Sequence, residues 1–103
     1  MIRAELYESK GLLNGFRISG HAGYAEKGSD VACASVSSAV QLIVNLLDEF
    51  DCEPQMSVED NAVECRITAS FDTASAMLEQ LRLHFETILE EFPKTIKITI
   101  SEV

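Results

Sequence analysis

A change of hydrophobic period at residues 33–51 decides the fold, and these residues read CASVSSAVQLIVNLLDEFD. Apolar side chains recur there at steps of three and four residues, the spacing that places them along one face of an α-helix. The members of this stripe are Val36, Ala39, Val40, Ile43, Leu46, Leu47 and Phe50. The spacing predicts an amphipathic helix that starts at Cys33 and ends near Asp51.

The residues before this helix alternate between apolar and polar, as β-strands do. The apolar members are Ile2, Ala4 and Leu6, followed by Phe16 and Ile18. Between the two runs lies Asn14-Gly15, a dipeptide that is typical of tight hairpin turns. We therefore predict a first hairpin with its turn at Asn14-Gly15.

The residues after the helix repeat this plan with a second hairpin, a second helix and a last strand. Asp60-Asn61 is a turn dipeptide between two alternating runs, Met56 and Val58, then Val63, Cys65, Ile67 and Ala69. Asp72 is a candidate cap for a second helix, which Pro93 ends. The apolar stripe of that helix is Ala74, Met77, Leu78, Leu81, Phe85, Ile88, Leu89 and Phe92, and the last strand has Ile96, Ile98 and Ile100.

The resulting order, ββαββαβ, predicts an α/β (α+β) fold in which a single domain spans residues 1–103. Each helix has one apolar stripe, so both helices are expected to cover the same face of one mixed sheet. The other face of the sheet should then be solvated or be used by a partner.

The composition excludes several classes of protein. The chain has 103 residues and a formal net charge of −9, which gives one hydrophobic core and no second domain. Nucleic-acid affinity rests largely on Lys and Arg, so we expect no direct nucleic-acid binding, and a basic partner fits better. The apolar runs are short and no signal-peptide pattern opens the chain, so we expect a cytoplasmic protein with no membrane contact.

Three cysteines, Cys33, Cys52 and Cys65, are an odd number with wide gaps. This spacing fits neither a disulfide framework nor a zinc site, so free thiols, no metal and no cofactor are expected. Cys52 lies at a helix end and Cys65 on the apolar side of a strand, and both look structural.

The chemistry concentrates in residues 19–33, SGHAGYAEKGSDVAC, which connect a strand to the first turn of the first helix. Free N–H groups and the helix dipole stabilise a thiolate at such a position. His21, if close to Cys33, would take the thiol proton and later protonate a leaving amine. The N–H groups of Ala34 and Ser35 are candidates for an oxyanion hole.

Each of these residues also has a structural interpretation. A cysteine at a helix start is commonly a small core residue, and a histidine in a Gly-rich loop is usually on the surface. Asp30 is either a cap of the helix or the residue that orients His21. Ser37 either faces solvent or lines the site, and His84, on one face of the second helix, is expected to be structural rather than catalytic.

The motif Gly20-His21-Ala22, Gly28, Asp30-Val31, Cys33-Ala34 and Ser37 resembles that of the ribosomal-processing cysteine proteases of bacteria, and the resemblance spans the chain. It implies His21 as general base and Cys33 as nucleophile, with Asp30 and Ser37 as supporting residues. Gly20 corresponds to a glycine that lets the active-site loop move. A third catalytic residue is not identified: Asp30 is the one nearby carboxylate with a case, although Glu26 is in the same loop.

The resemblance further implies an endopeptidase that removes a short N-terminal extension from a large-subunit ribosomal protein, cuts beside aromatic residues and forms a homodimer. A basic ribosomal protein would be attracted to a chain of charge −9. Two alternatives are a non-catalytic ribosome-associated or assembly-linked binding module and a thiol redox sensor. No Cys-x-x-Cys pair supports the redox sensor, and a binding module leaves the grouping of His21, Asp30 and Cys33 unexplained.

Overall fold

A computed structural model describes residues 1–20 and 29–103, with the side chains of residues 29 and 30 left out of the description. The elements are β1 (Ile2–Ser9), β2 (Leu12–Ser19), α1 (Ser29–Glu49), β3 (Gln55–Glu59), β4 (Ala62–Arg66), α2 (Phe71–Glu91) and β5 (Ile96–Glu102). This order confirms the predicted ββαββαβ arrangement.

The strands of the described residues form one five-stranded mixed sheet in the order β3-β4-β2-β1-β5. β1 and β5 run parallel, with Ile2 opposite Ile96 and Leu6 opposite Ile100, and every other neighbouring pair is antiparallel. Parallel neighbours need a long crossover connection, and the residues between β2 and β5 supply it. The predicted mixed sheet is confirmed.

Both helices cover one face of this sheet, as predicted. The strand residues that point to this face form one buried cluster with the helices, and Leu6 and Phe16 are fully buried in it. The helical members of the cluster are Ala32, Val36, Val40, Ile43 and Leu47 from α1, and Ala74, Leu78, Leu81, Phe85 and Ile88 from α2. Each large side chain that is fully buried contributes roughly 1.5–3 kcal/mol, so this cluster is the main source of stability.

The opposite face of the sheet is polar, and its most buried side chain is Tyr7. The Tyr7 hydroxyl donates to Glu64 Oε2 at 2.8 Å, and the guanidinium of Arg66 lies 4.6 Å from the centre of the tyrosine ring. Burial, together with this hydrogen bond to Glu64, raises the pKa of Tyr7 to about 12. The bond from Tyr7, aided by Arg66, lowers the pKa of Glu64. This face is held by its own polar network.

The turn of the first hairpin is not where the sequence predicted it. It falls at Lys10-Gly11, whose φ angles of 55° and 80° are those of a two-residue turn with both central residues left-handed. Asn14-Gly15 lies inside β2 instead, with Gly15 opposite Tyr7 and Arg66. A Cβ on Gly15 would collide with the backbone carbonyl of Cys65. Gly15 is therefore a place where β4 approaches β2 closely, not a turn residue.

The starts of both helices also differ from the prediction. α1 begins at Ser29, four residues before Cys33. α2 begins at Phe71, and its N-cap is Ser70, with φ 49°, so Asp72 lies in the first turn and does not cap the helix. Apolar periodicity located the inner face of each helix but not the polar turn that precedes it.

α1 is more apolar over its length than the short apolar runs of the sequence indicated. Residues Val31–Glu49 form 19 helical residues with a mean hydropathy of 1.5, enough to span a membrane by length and composition only. The core helix of a globular protein passes the same test, and the inner side of α1 does pack into the core. Only 28% of this stretch is buried, and its outer side carries apolar residues such as Leu42 beside polar ones such as Gln41 and Asn45.

Candidate active site

Cys33 opens into a cavity of about 280 Å³ at one end of the sheet, which we call the cysteine slot. The start of β1, the end of β2, α1 and the β3–β4 hairpin meet around it. Its apolar walls are Ile2, Ile18, Val36, Val58, Ala62 and Val63, and its polar residues besides Cys33 are Ser19, Ser37, Glu59, Asp60 and Asn61. Cys33 is half-buried, so its thiol can be reached from the slot.

Gly20 ends the strand that leads to the slot, and its place there is set by backbone geometry. Its φ of +79° lies in the left-handed region, which glycine adopts without strain. Its N–H donates to Asn61 O at 3.1 Å. A Cβ on Gly20 would lie 2.5 Å from Met1 O, so a side chain has no room. The end of β2 is thus bonded to the second hairpin and lies close to the backbone of Met1, directly before His21.

The predicted general base lies outside the described residues. His21, with Gly28 and Glu26, belongs to residues 21–28, so its distance to Cys33 stays a prediction. Asp30 is the second residue of α1, but its side chain is likewise outside the description.

Cys33 is the fifth residue of α1 and therefore lies in the second turn, not the first. An α-helix leaves only its first four N–H groups without an intrahelical acceptor, and the dipole effect is strongest in the first turn. The N–H groups of Ala34 and Ser35 come after these four. The helix bounds thus do not favour their predicted oxyanion role, which stays untested.

The remaining predicted residues divide between two surfaces. Ser37, one turn after Cys33, is exposed and lines the cysteine slot with it. Ala34 and Ser35 line a different and larger cavity of about 810 Å³ between α1 and α2, which we call the helix groove. The structure therefore brings Gly20, Cys33 and Ser37 together and places Ala34 and Ser35 on the other side of α1.

Cys52 and Cys65 are free thiols with no exposed surface, in agreement with the structural role predicted for them. Burial raises the pKa of the Cys52 thiol, and it raises the pKa of Cys65 to about 11. Both thiols are thus kept protonated and away from solvent. Cys33, which reaches the cysteine slot, is the cysteine that a substrate can meet.

His84 lies on the exposed side of α2 and lines the helix groove. The cavity that Cys33 lines does not include it. The helix groove is the larger cavity, but the smaller slot is the one that holds the candidate nucleophile. The cysteine slot is therefore the candidate active site.

Sequence reasoning missed the contribution of the second hairpin to this site. Val58, Asn61 and Val63 were recognised only as strand and turn residues, yet they form one wall of the cysteine slot. They reach it because β4 pairs with β2, placing Val63 opposite Ile18 and Ala62 opposite Ser19. The one available signal was an apolar Val58 directly before a polar turn, which an ordinary hairpin also shows.

Comparison with protein families identifies the class. The family described as Cysteine protease Prp matches residues 1–97. The chain belongs to the Prp cysteine protease family and is a cysteine protease, as the sequence motif predicted. Family membership also speaks against a non-catalytic binding module and against a redox sensor.

Solved structures with the same fold include the essential ribosomal processing protease Prp from S. aureus. Its complex with a substrate peptide has a TM-score of 0.86 and 23% identity, covering 98% of this chain and 100% of that chain. Its form with a covalently linked product peptide has a TM-score of 0.85 at 24% identity and the same coverage. SMU.848 from Streptococcus mutans gives 0.76 at 27% identity, covering 100% of this chain and 96% of that chain. Comparison with curated proteins found no match.

Proposed function

We propose that the chain is a cysteine endopeptidase that removes a short N-terminal extension from a ribosomal protein, with Cys33 as nucleophile and His21 as general base. One observation carries this proposal: the half-buried Cys33 opens into a slot beside Gly20, the residue directly before His21. The family supports the chemistry, and the S. aureus ribosomal processing protease, solved with a substrate peptide, supports the class of substrate.

In the proposed reaction, His21 takes the proton of Cys33 and the thiolate attacks the carbonyl carbon of the scissile peptide bond. The tetrahedral intermediate collapses, the C–N bond breaks, and the proton held by His21 goes to the leaving amine. A thioester remains on Cys33. Water then attacks it with His21 as base, and the acid product leaves as the proton returns to the sulfur.

Three described positions are proposed to support this dyad. Gly20 sets the direction of the chain before His21, and its lack of a side chain is required by its surroundings. Ser37 places a hydroxyl on the wall of the slot one turn from Cys33. Asp30 lies inside the first turn of α1 and so does not cap the helix, and it is retained as the residue that orients His21.

Ala34 and Ser35 are retained as neighbours of the nucleophile with a narrower role. Their N–H groups would reach an oxyanion only if the first turn of α1 opened when the substrate binds, because a regular helix uses both N–H groups internally. Otherwise these residues serve as part of the helix groove.

The substrate side of the proposal rests on charge. The net charge of −9 attracts a basic ribosomal protein and raises the rate of encounter more than the final affinity. We propose that residues 1–103 act as one cytoplasmic protease domain in ribosome biogenesis, without direct nucleic-acid binding, membrane contact or a cofactor.

We also propose a homodimer that forms through the outer side of α1. Residues 31–47 contain no Asp, Glu, Lys or Arg, in a chain of net charge −9. Two copies repel each other through most of their surface, and a two-fold interface brings the same patch together twice, so an uncharged patch is the favourable one. Leu42 is 60% exposed there and lines the helix groove. Sedimentation that shows only monomer at micromolar concentration would refute the dimer.

The proposed function is tested by incubating the protein with the extended N-terminus of a ribosomal protein and reading the products by mass spectrometry. A single cut that removes the extension is expected. Cys33→Ala and His21→Ala should each abolish cleavage and leave the circular dichroism spectrum unchanged.

Cys52→Ala and Cys65→Ala are the matched controls, because they remove buried thiols that do not line the slot. Both should retain cleavage. Cleavage by Cys33→Ala at the rate of the unmodified protein would end the proposal.

A further inference from the structure

The face of the sheet that the helices leave open has a cavity lined mainly by cations. This cavity, of about 360 Å³, lies across β2, β1 and β5, and we call it the sheet cavity. Its lining residues are Arg3, Glu5, Arg17, Ser19, Lys97 and Thr99. Three of them are cations and one is an anion, whereas the whole chain has 8 Lys and Arg against 17 Asp and Glu. The cavity thus has the opposite charge from the chain.

Two of these cations stand next to each other. Arg3 on β1 is directly opposite Lys97 on β5. Like charges at opposite positions of neighbouring strands repel each other and destabilise a sheet. Both side chains are exposed, and neither has an ion-pair partner among the described residues. A local rule that is broken without a compensating contact is typical of a functional site.

The other charges of the sheet cavity are already engaged. Arg17 lies 3.5 Å from Glu59 and 3.7 Å from Glu64, so its charge is shared between two carboxylates. The one carboxylate that lines the cavity, Glu5, accepts a hydrogen bond from the Ser101 hydroxyl at 2.8 Å. The positive charge that is free to bind a ligand is therefore that of the two opposed cations.

The donors of the sheet cavity suit a phosphate group. The guanidinium of Arg3 has five N–H donors and the ammonium of Lys97 has three, and neither group accepts a hydrogen bond. The hydroxyl of Ser19 is close to both, because Ser19 is opposite Arg3 on the other side of β1. A phosphate has roughly two negative charges and three strong acceptor oxygens. It can therefore bind both cations at once, which the single charge of a carboxylate does less well.

Size and charge favour a small ligand over a nucleic acid. The volume of about 360 Å³ is at the lower end of the range of roughly 300–1,000 Å³ typical of small-molecule pockets. Nucleic-acid binding needs many Lys and Arg contacts along the backbone, and a chain of net charge −9 repels a long polyanion. Two free cations are enough for one small anion only.

We propose that the sheet cavity binds a small phosphorylated molecule, with its phosphate between Arg3 and Lys97. This site is distinct from the cysteine slot, because neither cation lines the slot. Ser19 lines both cavities, so the bound ligand lies against the strand end that leads to Gly20. No step of the proposed cleavage uses Arg3 or Lys97, so this inference does not rest on the proposed function.

The test is an NMR titration of the isotope-labelled protein with pyrophosphate at constant ionic strength. The backbone N–H signals of Arg3, Ser19 and Lys97 should shift and saturate with one Kd. Lys97→Gln removes one of the two free cations and should raise this Kd at least about threefold, the scale of one exposed charge-assisted contact. The absence of a saturable shift at these residues would overturn the inference.

Lys10→Gln is the matched control. It removes the same charge from the chain, but Lys10 lies at the turn of the first hairpin and does not line the sheet cavity. It should leave the Kd unchanged. Glu5→Gln removes the carboxylate of the cavity and keeps an oxygen for the Ser101 hydroxyl, so it should lower the Kd. Equal Kd values for Lys97→Gln and Lys10→Gln would refute the site, because the overall charge would then explain the binding.

Two further titrations separate this inference from its alternatives. A short poly(U) RNA, compared at equal phosphate concentration, should bind more weakly than pyrophosphate. RNA that binds more tightly through the same signals would overturn the small-ligand proposal and assign the cavity to nucleic acid. Cys33→Ala should bind pyrophosphate with the Kd of the unmodified protein, so the result stands whether or not the protein cleaves a peptide.

Discussion

Replacing Gly20 by alanine tests whether the strand end beside the cysteine slot is fixed by backbone geometry. Two costs act at this residue. A left-handed φ, here +79°, costs a residue with a Cβ about 1–2 kcal/mol. The new Cβ would also lie 2.5 Å from Met1 O, and overpacking of this kind costs typically about 1–3 kcal/mol.

The carbonyl of Met1 cannot simply move away from such a side chain. It belongs to the same peptide group as the N–H of Ile2, which donates to Thr95 O at 3.0 Å. Moving the carbonyl would therefore disturb the start of β1 and its parallel pairing with β5. The two costs at Gly20 should add to roughly 2–5 kcal/mol.

Gly11 provides a matched control in the same chain. Its φ is +80°, almost the same as that of Gly20, but an added Cβ would have no heavy atom within 4 Å. Gly11→Ala should therefore lose only the conformational part of the stability, about 1–2 kcal/mol. Gly15→Ala shows the reverse case, because its φ is not left-handed and its added Cβ meets the carbonyl of Cys65.

Urea unfolding followed by circular dichroism measures the three variants. The free energy of unfolding of Gly11→Ala should exceed that of Gly20→Ala by about 1–3 kcal/mol. In a domain of this size, the Tm of Gly11→Ala should then be higher by at least about 5 °C. Gly20→Ala should also lower kcat/KM, because the N–H of Gly20 holds the hairpin through Asn61 O. If Gly20→Ala is as stable as Gly11→Ala, the steric argument is wrong.

Three further predictions concern thiols, pH and assembly. In the folded protein, iodoacetamide should modify Cys33 first and Cys65 last, because Cys65 is buried and burial raises its pKa to about 11. Peptide mapping measures the rate of modification of each cysteine, and equal rates would show that the prediction is wrong. Since the folded-state pKa of Tyr7, about 12, exceeds the usual 10.0, its stabilising contribution is complete below pH 10 and is lost as the pH rises toward 12. Tyr7→Phe should lower the free energy of unfolding by about 1.5 kcal/mol at neutral pH. In urea titrations above pH 10, the free energy of unfolding of this variant should fall less with pH than that of the unmodified protein. An equal fall in both proteins would contradict this prediction. Leu42→Asp should convert the dimer to monomer in sedimentation. The stability of the monomer should change little, because the Leu42 side chain is 60% exposed. A dimer that persists in this variant would place the interface elsewhere.

The sequence by itself determined the type and order of the elements. Helix and strand differ in the local period of their apolar residues, and that period is visible without any tertiary contact. The stripe from Val36 to Phe50 and the alternation at Ile96, Ile98 and Ile100 were therefore enough to predict ββαββαβ. The motif around His21 and Cys33 was also local, and it predicted the cysteine protease class that the family comparison shows.

Only the tertiary structure decided where the first hairpin turns and what surrounds Cys33. Asn14-Gly15 has the composition of a turn, but Gly15 is needed where the carbonyl of Cys65 approaches β2, and that contact joins residues fifty positions apart. In the same way, Val58 reaches the cysteine slot only because β4 pairs with β2. Local periodicity carries no record of which strands become neighbours, since side-chain period sets the face of a strand and long-range packing sets its partner.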